Sequence, residues 1–306
     1  MKFLSALFFI LLIVSCDMVE REDTSKTSLI DDRKLSKRSE DSILTKEIID
    51  TSGQFIEYED SIISDVQASI LDAENEFEYV DRLTLESGVR INWLKRNRGR
   101  ILRDGELVLI EYRLGLPDGK IIDGNNKMKM PNLPFIVGYN MQNKGWDLAL
   151  SKLCVGDIAK IEIPSKLAYG KKGLGTVIPP NTDNWLFIEI QGLVKADFDE
   201  GGLKYWELRS GENEETNKRK VKFHMIASTK SKANIFNTYA SNFPLTYTPG
   251  QKNYPKGLQQ VLKKAKKGQH LFLILEPQMA YGDKGYLNLV GPNEAVFYNL
   301  KIIDVE

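Results

Sequence analysis

Histidine and cysteine are almost missing from this chain of 306 residues, which holds two of each. So small a stock leaves no spacing for a metal framework of the Cys/His kind and excludes a disulfide-stapled fold. An excess of one charge is missing too: 42 Lys and Arg offset 42 Asp and Glu. No apolar run is long enough to cross a bilayer, because Phe3 to Val14, twelve residues broken by Ser5, falls short of ~30 Å of hydrocarbon at ~1.5 Å per residue. After Lys2 that run reads as the apolar region of a secretory signal over residues 1–15.

The run ends in Ile13-Val14-Ser15-Cys16, which resembles the lipobox of bacterial lipoproteins. The resemblance implies a lipid on Cys16, a membrane anchor and a place in the cell envelope, on the periplasmic face or outer membrane. An ordinary cleavage site beside an incidental Cys is the other reading. A lipidated Cys16 leaves Cys154 unpaired, between Leu153 and Val155-Gly156, where a small buried thiol is the usual occupant.

The zero net charge conceals an asymmetry. Residues 17–87 carry 20 acidic and 8 basic side chains, whereas 202–306 carry 9 and 16. The basic residues are scattered, which argues against nucleic acid as a partner. Residues 16–41 mix charge with Ser and Thr and read as a flexible tether. Residues 42–82 read as an acidic helical segment: Ser42 as cap, then Ile43, Leu44, Ile48 and Ile49, and after Ser52-Gly53 a stripe of Ile62, Val66, Ile70 and Phe77.

From Gly88 the pattern turns strand-like, and the sequence then repeats itself. Leu133, Phe135, Gly138, Gly145, Gly156, Ala168-Tyr169-Gly170 and Pro180-Asn181 recur 112 residues later as Leu245, Tyr247, Gly250, Gly257, Gly268, Ala280-Tyr281-Gly282 and Pro292-Asn293. The beginnings, Gly88-Val89 and Gly202-Leu203, match at 114. Two domain-sized copies are therefore expected, at 83–198 and 199–306. Each orders strands, one short helix, an apolar strand, a Gly- and Pro-rich loop and a last strand, which makes each copy α+β.

Ile163-Pro164-Ser165-Lys166-Leu167-Ala168-Tyr169-Gly170 and Val177-Ile178-Pro179-Pro180-Asn181 resemble the signature of FKBP-type peptidyl-prolyl cis-trans isomerases. Gly145-Trp146, Leu153-Cys154-Val155-Gly156, Val108 to Tyr112 and Lys120-Ile121-Ile122-Asp123 match other blocks of that family. The acidic helical segment ahead of these blocks is similar to FKBP lipoproteins of the Bacteroidetes type. The resemblance implies a twisted antiparallel sheet wrapped around one short helix, with an apolar cleft between them. It implies no cofactor and no metal, and as substrates unfolded or extended polypeptides containing proline.

Carried over by position, the resemblance makes Trp146 the floor of a proline pocket, with Tyr112, Leu133, Val177, Ile178 and Leu186 as walls. Tyr169 would donate its hydroxyl to a peptide carbonyl, and Asp123 would stand beside Tyr112 at the edge. Read singly, Trp146 and Tyr112 are also plausible core aromatics, and Asp123 a turn residue. Ile122 and Leu186 stand where the family usually has Phe, and Gln142-Asn143 where it has two aliphatics, so the cleft is less aromatic and one rim more polar. In the second copy, Met225, Asn237 and Leu258 are read in place of Tyr112, Asp123 and Trp146, and only Tyr281 survives. The expected function is an isomerase and folding helper for envelope proteins working through the first copy. The alternative is a lipoprotein whose clefts only hold partners.

Overall fold

The computed structural model describes residues 48–49, 78–125, 130–212 and 220–306. The leader, Cys16, the tether and, Ile48–Ile49 apart, the helical segment up to residue 77 lie outside the described residues. Two sheets, each with one α-helix, make up the rest, so both copies are α+β as expected.

The first sheet runs β2-β3-β7-β8-β4-β5, all antiparallel, through Asp81–Thr84, Arg90–Lys95, Ile158–Ile163, Asn184–Val194, Leu107–Gly115 and Ile121–Gly124. β6 (Leu133–Ile136) adds to β4, and α1 (Lys144–Leu150) packs Trp146, Ala149 and Leu150 into the core on one face of the sheet. The second sheet repeats the order as β9-β10-β14-β15-β11-β12: Phe198–Glu200, Leu203–Arg209, His270–Leu275, Val296–Val305, Val221–Thr229 and Phe236–Asn237. There β13 (Leu245–Tyr247) pairs with β11, and α2 is Lys256–Leu262.

β1 corrects the sequence reading. Ile48–Ile49, expected in a helix, form a strand paired with Val194 and Leu193. β7 covers its side of β8 only from Asn184 to Glu189, so the edge beyond is open, and a two-residue strand satisfies its free backbone groups. The first turn of sheet also starts before residue 83, since Asp81 already pairs with Trp93.

Glycine brings each helix close to its sheet. A Cβ on Gly145 would stand 2.2 Å from Ile163 Cγ2, and one on Gly257 2.4 Å from Leu275 Cδ2. A side chain at either position would have to displace the buried Ile163 or Leu275, or the helix itself.

Strand alternation sorts residues between three cores. On β4, Val108, Ile110, Tyr112 and Leu114 face the first core, and Leu107 faces the other way. On β14, Leu271, Leu273 and Leu275 face the second core while Phe272 and Ile274 look outward. Those outward residues, with Leu107, Ile136, Tyr139, Val194, Trp206 and Phe297, form one buried cluster between the copies. This explains why β14 is a continuous apolar run while β7 alternates: β14 is buried on both faces. Polar bonds lock the seam. Trp206 Nε1–H donates to the Val194 carbonyl at 2.9 Å, and Asn140 Nδ2 donates to the carbonyls of Thr229 (2.8 Å) and Lys230 (3.0 Å). The Ser228 hydroxyl donates to the Tyr139 carbonyl. Cys154 is buried, as expected, with Sγ 3.0 Å from the Gly99 carbonyl, and burial pushes its thiol up.

Candidate functional site

In the first copy α1 packs against residues of β4, β5 and β6, and the resemblance sets the expected cleft where they meet. Asn143 starts α1 as its N-cap, with Oδ1 accepting from Trp146 N–H at 3.3 Å. That cap fixes the helix turn carrying Trp146, whose ring is 1% exposed. Phe135 of β6 stacks on it at 5.7 Å and 19°, and Tyr112 of β4 meets it edge-on at 5.3 Å and 70°. The Trp146 indole N–H and the Asn143 amide nitrogen have no hydrogen-bond partner among the described residues.

Tyr112 and Asp123 form a pair, the hydroxyl donating to Oδ2 at 2.9 Å, while Gly124 N–H donates to Oδ1 at 2.8 Å. Asn125 holds the pair in register: its Oδ1 accepts from Tyr112 N–H at 2.8 Å and its Nδ2 donates to the Ile110 carbonyl at 2.9 Å. Burial lifts the Asp123 carboxyl, although the Tyr112 hydroxyl and Gly124 N–H pull it back. Burial also raises Tyr112 and Tyr169, both further raised by the Asp123 charge, so both phenols keep their protons as donors.

Tyr169 sits between two 3-10 turns, Ser165–Leu167 and Gly170–Lys172, in the loop after β7. Asn181 N–H closes that loop onto the Gly170 carbonyl at 2.8 Å. Gly173 has φ +63°, and a Cβ there would stand 2.2 Å from the Ile178 carbonyl oxygen, so only glycine fits under the loop. The Tyr169 hydroxyl makes no hydrogen bond among the described residues and remains a free donor.

Leu133 and Leu186 are buried in the same core as Tyr112 and Trp146, with Ile122 half-buried against it. Ile178 is fully buried, and Val177 is half-buried beside it. Gln142 is half-buried just ahead of the helix cap. The structure thus brings Tyr112, Asp123, Trp146 and Tyr169 together beside one apolar cluster, gives Asn143 a capping task, and leaves Cys16 outside the described residues. Phe135 and Asn125 were not singled out from sequence. Phe135 had a signal, its recurrence as Tyr247; Asn125 had none.

The second cleft holds Met225, Leu258 and Tyr281 at the expected places, but strand register corrects one equivalence. Asp123 lies opposite Leu114, and Phe236 lies opposite Ala227. Tyr112 and Met225 occupy matching rungs against Ile188 and Leu300, so Phe236, not Asn237, replaces Asp123. Thr238 then does the work of Asn125, its Oγ1 accepting from Met225 N–H at 2.9 Å. Asn237 instead caps a turn, accepting from Tyr239 and Ala240 N–H.

A single family model, the FKBP-type peptidyl-prolyl cis-trans isomerase, matches residues 99–191 and again 211–303, in step with the 112-residue repeat. The chain belongs to that family. Human peptidyl-prolyl cis-trans isomerase FKBP10 is 29% identical over 214 residues, covering 67% of this chain and 35% of the human protein. This chain thus spans about a third of that relative. FK506-binding protein 1 of Candida glabrata is 36% identical over 99 residues, 32% of this chain and 86% of the yeast protein. Among solved structures, the three FKBP domains of wheat FKBP73 align at 17% identity and a TM-score of 0.35, covering 72% of this chain and 96% of the wheat chain.

Proposed function

We propose that the chain is a peptidyl-prolyl cis-trans isomerase acting through its first cleft on unfolded or extended polypeptides that contain proline. One observation carries the reading: the Tyr112–Asp123 bond stands edge-on over Trp146, with the free Tyr169 hydroxyl above the same recess. Turning an X–Pro amide meets a barrier of ~18–20 kcal/mol because resonance is lost midway. No bond to an atom of the chain has to form. A recess that prefers the twisted amide lowers the barrier, about tenfold in rate for each ~1.4 kcal/mol of preference. The recess is apolar where the prolyl ring would rest, and the twisted amide, less dipolar than the planar one, is disfavoured less there. Tyr169 would hold a carbonyl of the peptide, and Asp123, oriented by Tyr112 and Gly124, would set the field at the edge.

The isomerase would serve as a folding helper for envelope proteins, held at a membrane by lipid on Cys16. The lipobox-like Ile13-Val14-Ser15-Cys16 and the spacing of residues 16–41 support this placement. A second reading, a lipoprotein whose clefts only hold partners, draws on the second copy, where the Tyr–Asp pair is lost. Exchange spectroscopy on a short X–Pro peptide, with catalytic amounts of the full chain, separates the two. Acceleration supports isomerisation; no acceleration of any of several peptides by a folded chain leaves the holding function.

A further inference from the structure

We propose that the second cleft is a binding site for a bulky uncharged side chain, aromatic above all, on an extended polypeptide, taken without regard to proline. The cleft holds a cavity of about 220 Å³ between α2, β11 and the loop after β14. A cavity of ~150 Å³ lined by aliphatic and aromatic groups already admits benzene, so this one has room for an aromatic ring. The room comes from two replacements at matching rungs: Leu258 where the first cleft has Trp146, and Met225 where it has Tyr112. Methionine is soft enough to adapt to a ring, and its sulfur makes favourable contact with aromatic edges.

The lining says what is refused as well as what fits. Phe236 takes the place of Asp123, and no residue lining the cavity carries a charge. A charged occupant would lose its hydration and gain no partner. The lip is aromatic: Tyr281 and Tyr286 stack at 4.8 Å and 24°, with Tyr286 46% and Phe236 42% exposed. The two loops that supply this lip also expose Phe243 and Leu287. Half of the large apolar side chains exposed among the described residues, four of eight, therefore belong to this one region. Apolar surface concentrated around a recess is the signature of a docking site rather than of chance exposure.

A second observation points to a polar anchor. Tyr298 stands at the back of the cavity where the first cleft has Leu186; it is 1% exposed, and its hydroxyl completes no hydrogen bond. Its neighbour is the Tyr281 hydroxyl. Burial raises both phenols, so each keeps its proton and can donate it. An occupant whose main-chain carbonyl reached Tyr281 would draw the pair into a chain, Tyr298 donating to Tyr281 and Tyr281 to the carbonyl. Aromatic side chain and adjacent carbonyl would thus be read together, as an extended peptide presents them.

This inference does not require the isomerase reading, and the test keeps them apart. The full chain is titrated with two labelled peptides, identical and free of proline except for Phe or Ala at the centre, and binding is read by anisotropy. The Phe peptide should bind at least tenfold more tightly. Leu258→Trp, which fills the cavity with the first cleft's own residue, should weaken it at least tenfold. Tyr298→Phe, which leaves packing in place, should weaken it several-fold and keeps the test open where Leu258→Trp does not fold. Equal binding of both peptides, no binding, or binding that ignores both substitutions overturns the proposal. So does Phe-peptide binding seen only after residues 17–77 are deleted, which would make that segment the occupant. Exchange of a short prolyl peptide on the same samples reports the first cleft; its failure beside intact Phe-peptide binding would sink only the isomerase reading.

Discussion

Removing Trp206 should unfasten the two copies from each other. The indole is 1% exposed at the centre of the seam, its N–H on the Val194 carbonyl at 2.9 Å and its ring in the cluster of Leu107, Val194, Phe272 and Phe297. A buried Trp cut to Ala costs ~3–5 kcal/mol through lost burial and the cavity left behind. Shared by a cooperative unit of roughly 200 residues, for which each kcal/mol moves the midpoint ~2–4 °C, the loss lowers Tm by on the order of 10 °C. The shape of the transition is the sharper reading. With the seam intact the copies should melt together; in Trp206→Ala calorimetry should resolve two transitions. Trp206→Phe keeps most of the area but not the donor, and should cost about 1 kcal/mol with one transition retained. Two transitions already present in the unaltered chain, or a Trp206→Ala melt within 2 °C of it, would refute the seam as a source of stability.

Tyr112→Phe leaves the Asp123 carboxyl with the Gly124 N–H alone, so the carboxyl should titrate at higher pH and prolyl exchange should slow several-fold; carbon NMR on Asp123 and exchange spectroscopy check both. Asp147 is raised by burial from its ordinary 3.8 to about 6, against the pull of the Gly138 and Asn140 N–H groups. A folded carboxyl so raised binds its proton where the unfolded chain has released it, so its contribution to stability grows as pH falls through about 6 toward 3.8. Denaturant melts should therefore show no loss between pH 7 and 5, and a carboxyl midpoint for Asp147 below 4.5 would contradict the assignment. Mass spectrometry of the membrane fraction should find lipid on Cys16; a water-soluble chain starting at any other residue would remove the anchor.

The grouping of Tyr112, Asp123, Trp146 and Tyr169 was legible because the blocks that carry them are few, widely spaced and ordered, and the fold brings the four side chains together. β7 was legible as a strand, although it was read as an apolar one and its burial alternates. The seam was not, although β14 carried its trace: an apolar run reads alike whether the second face meets a helix, a sheet or another domain. Ile48–Ile49 fit helical and extended patterns equally, and the open edge of β8, far along the chain, decided the matter. The misplacement of Asn237 has a simpler cause. The spacing between copies falls from 114 at the first strand to 113 at β4 and β11 and to 112 from β6 onward, so residues in the variable loops slip by one unless strand rungs fix them.

We propose that one cleft turns prolyl bonds and the other does not. The seam makes separated halves a poor test, because each would expose what the other covers. The measurement is therefore prolyl exchange by the full chain carrying Asp123→Ala or, separately, Tyr281→Phe, with folding checked by calorimetry. Our account expects Asp123→Ala to slow exchange several-fold and Tyr281→Phe to leave it unchanged. Loss of activity in Tyr281→Phe, with Asp123→Ala as fast as the unaltered chain, would contradict it.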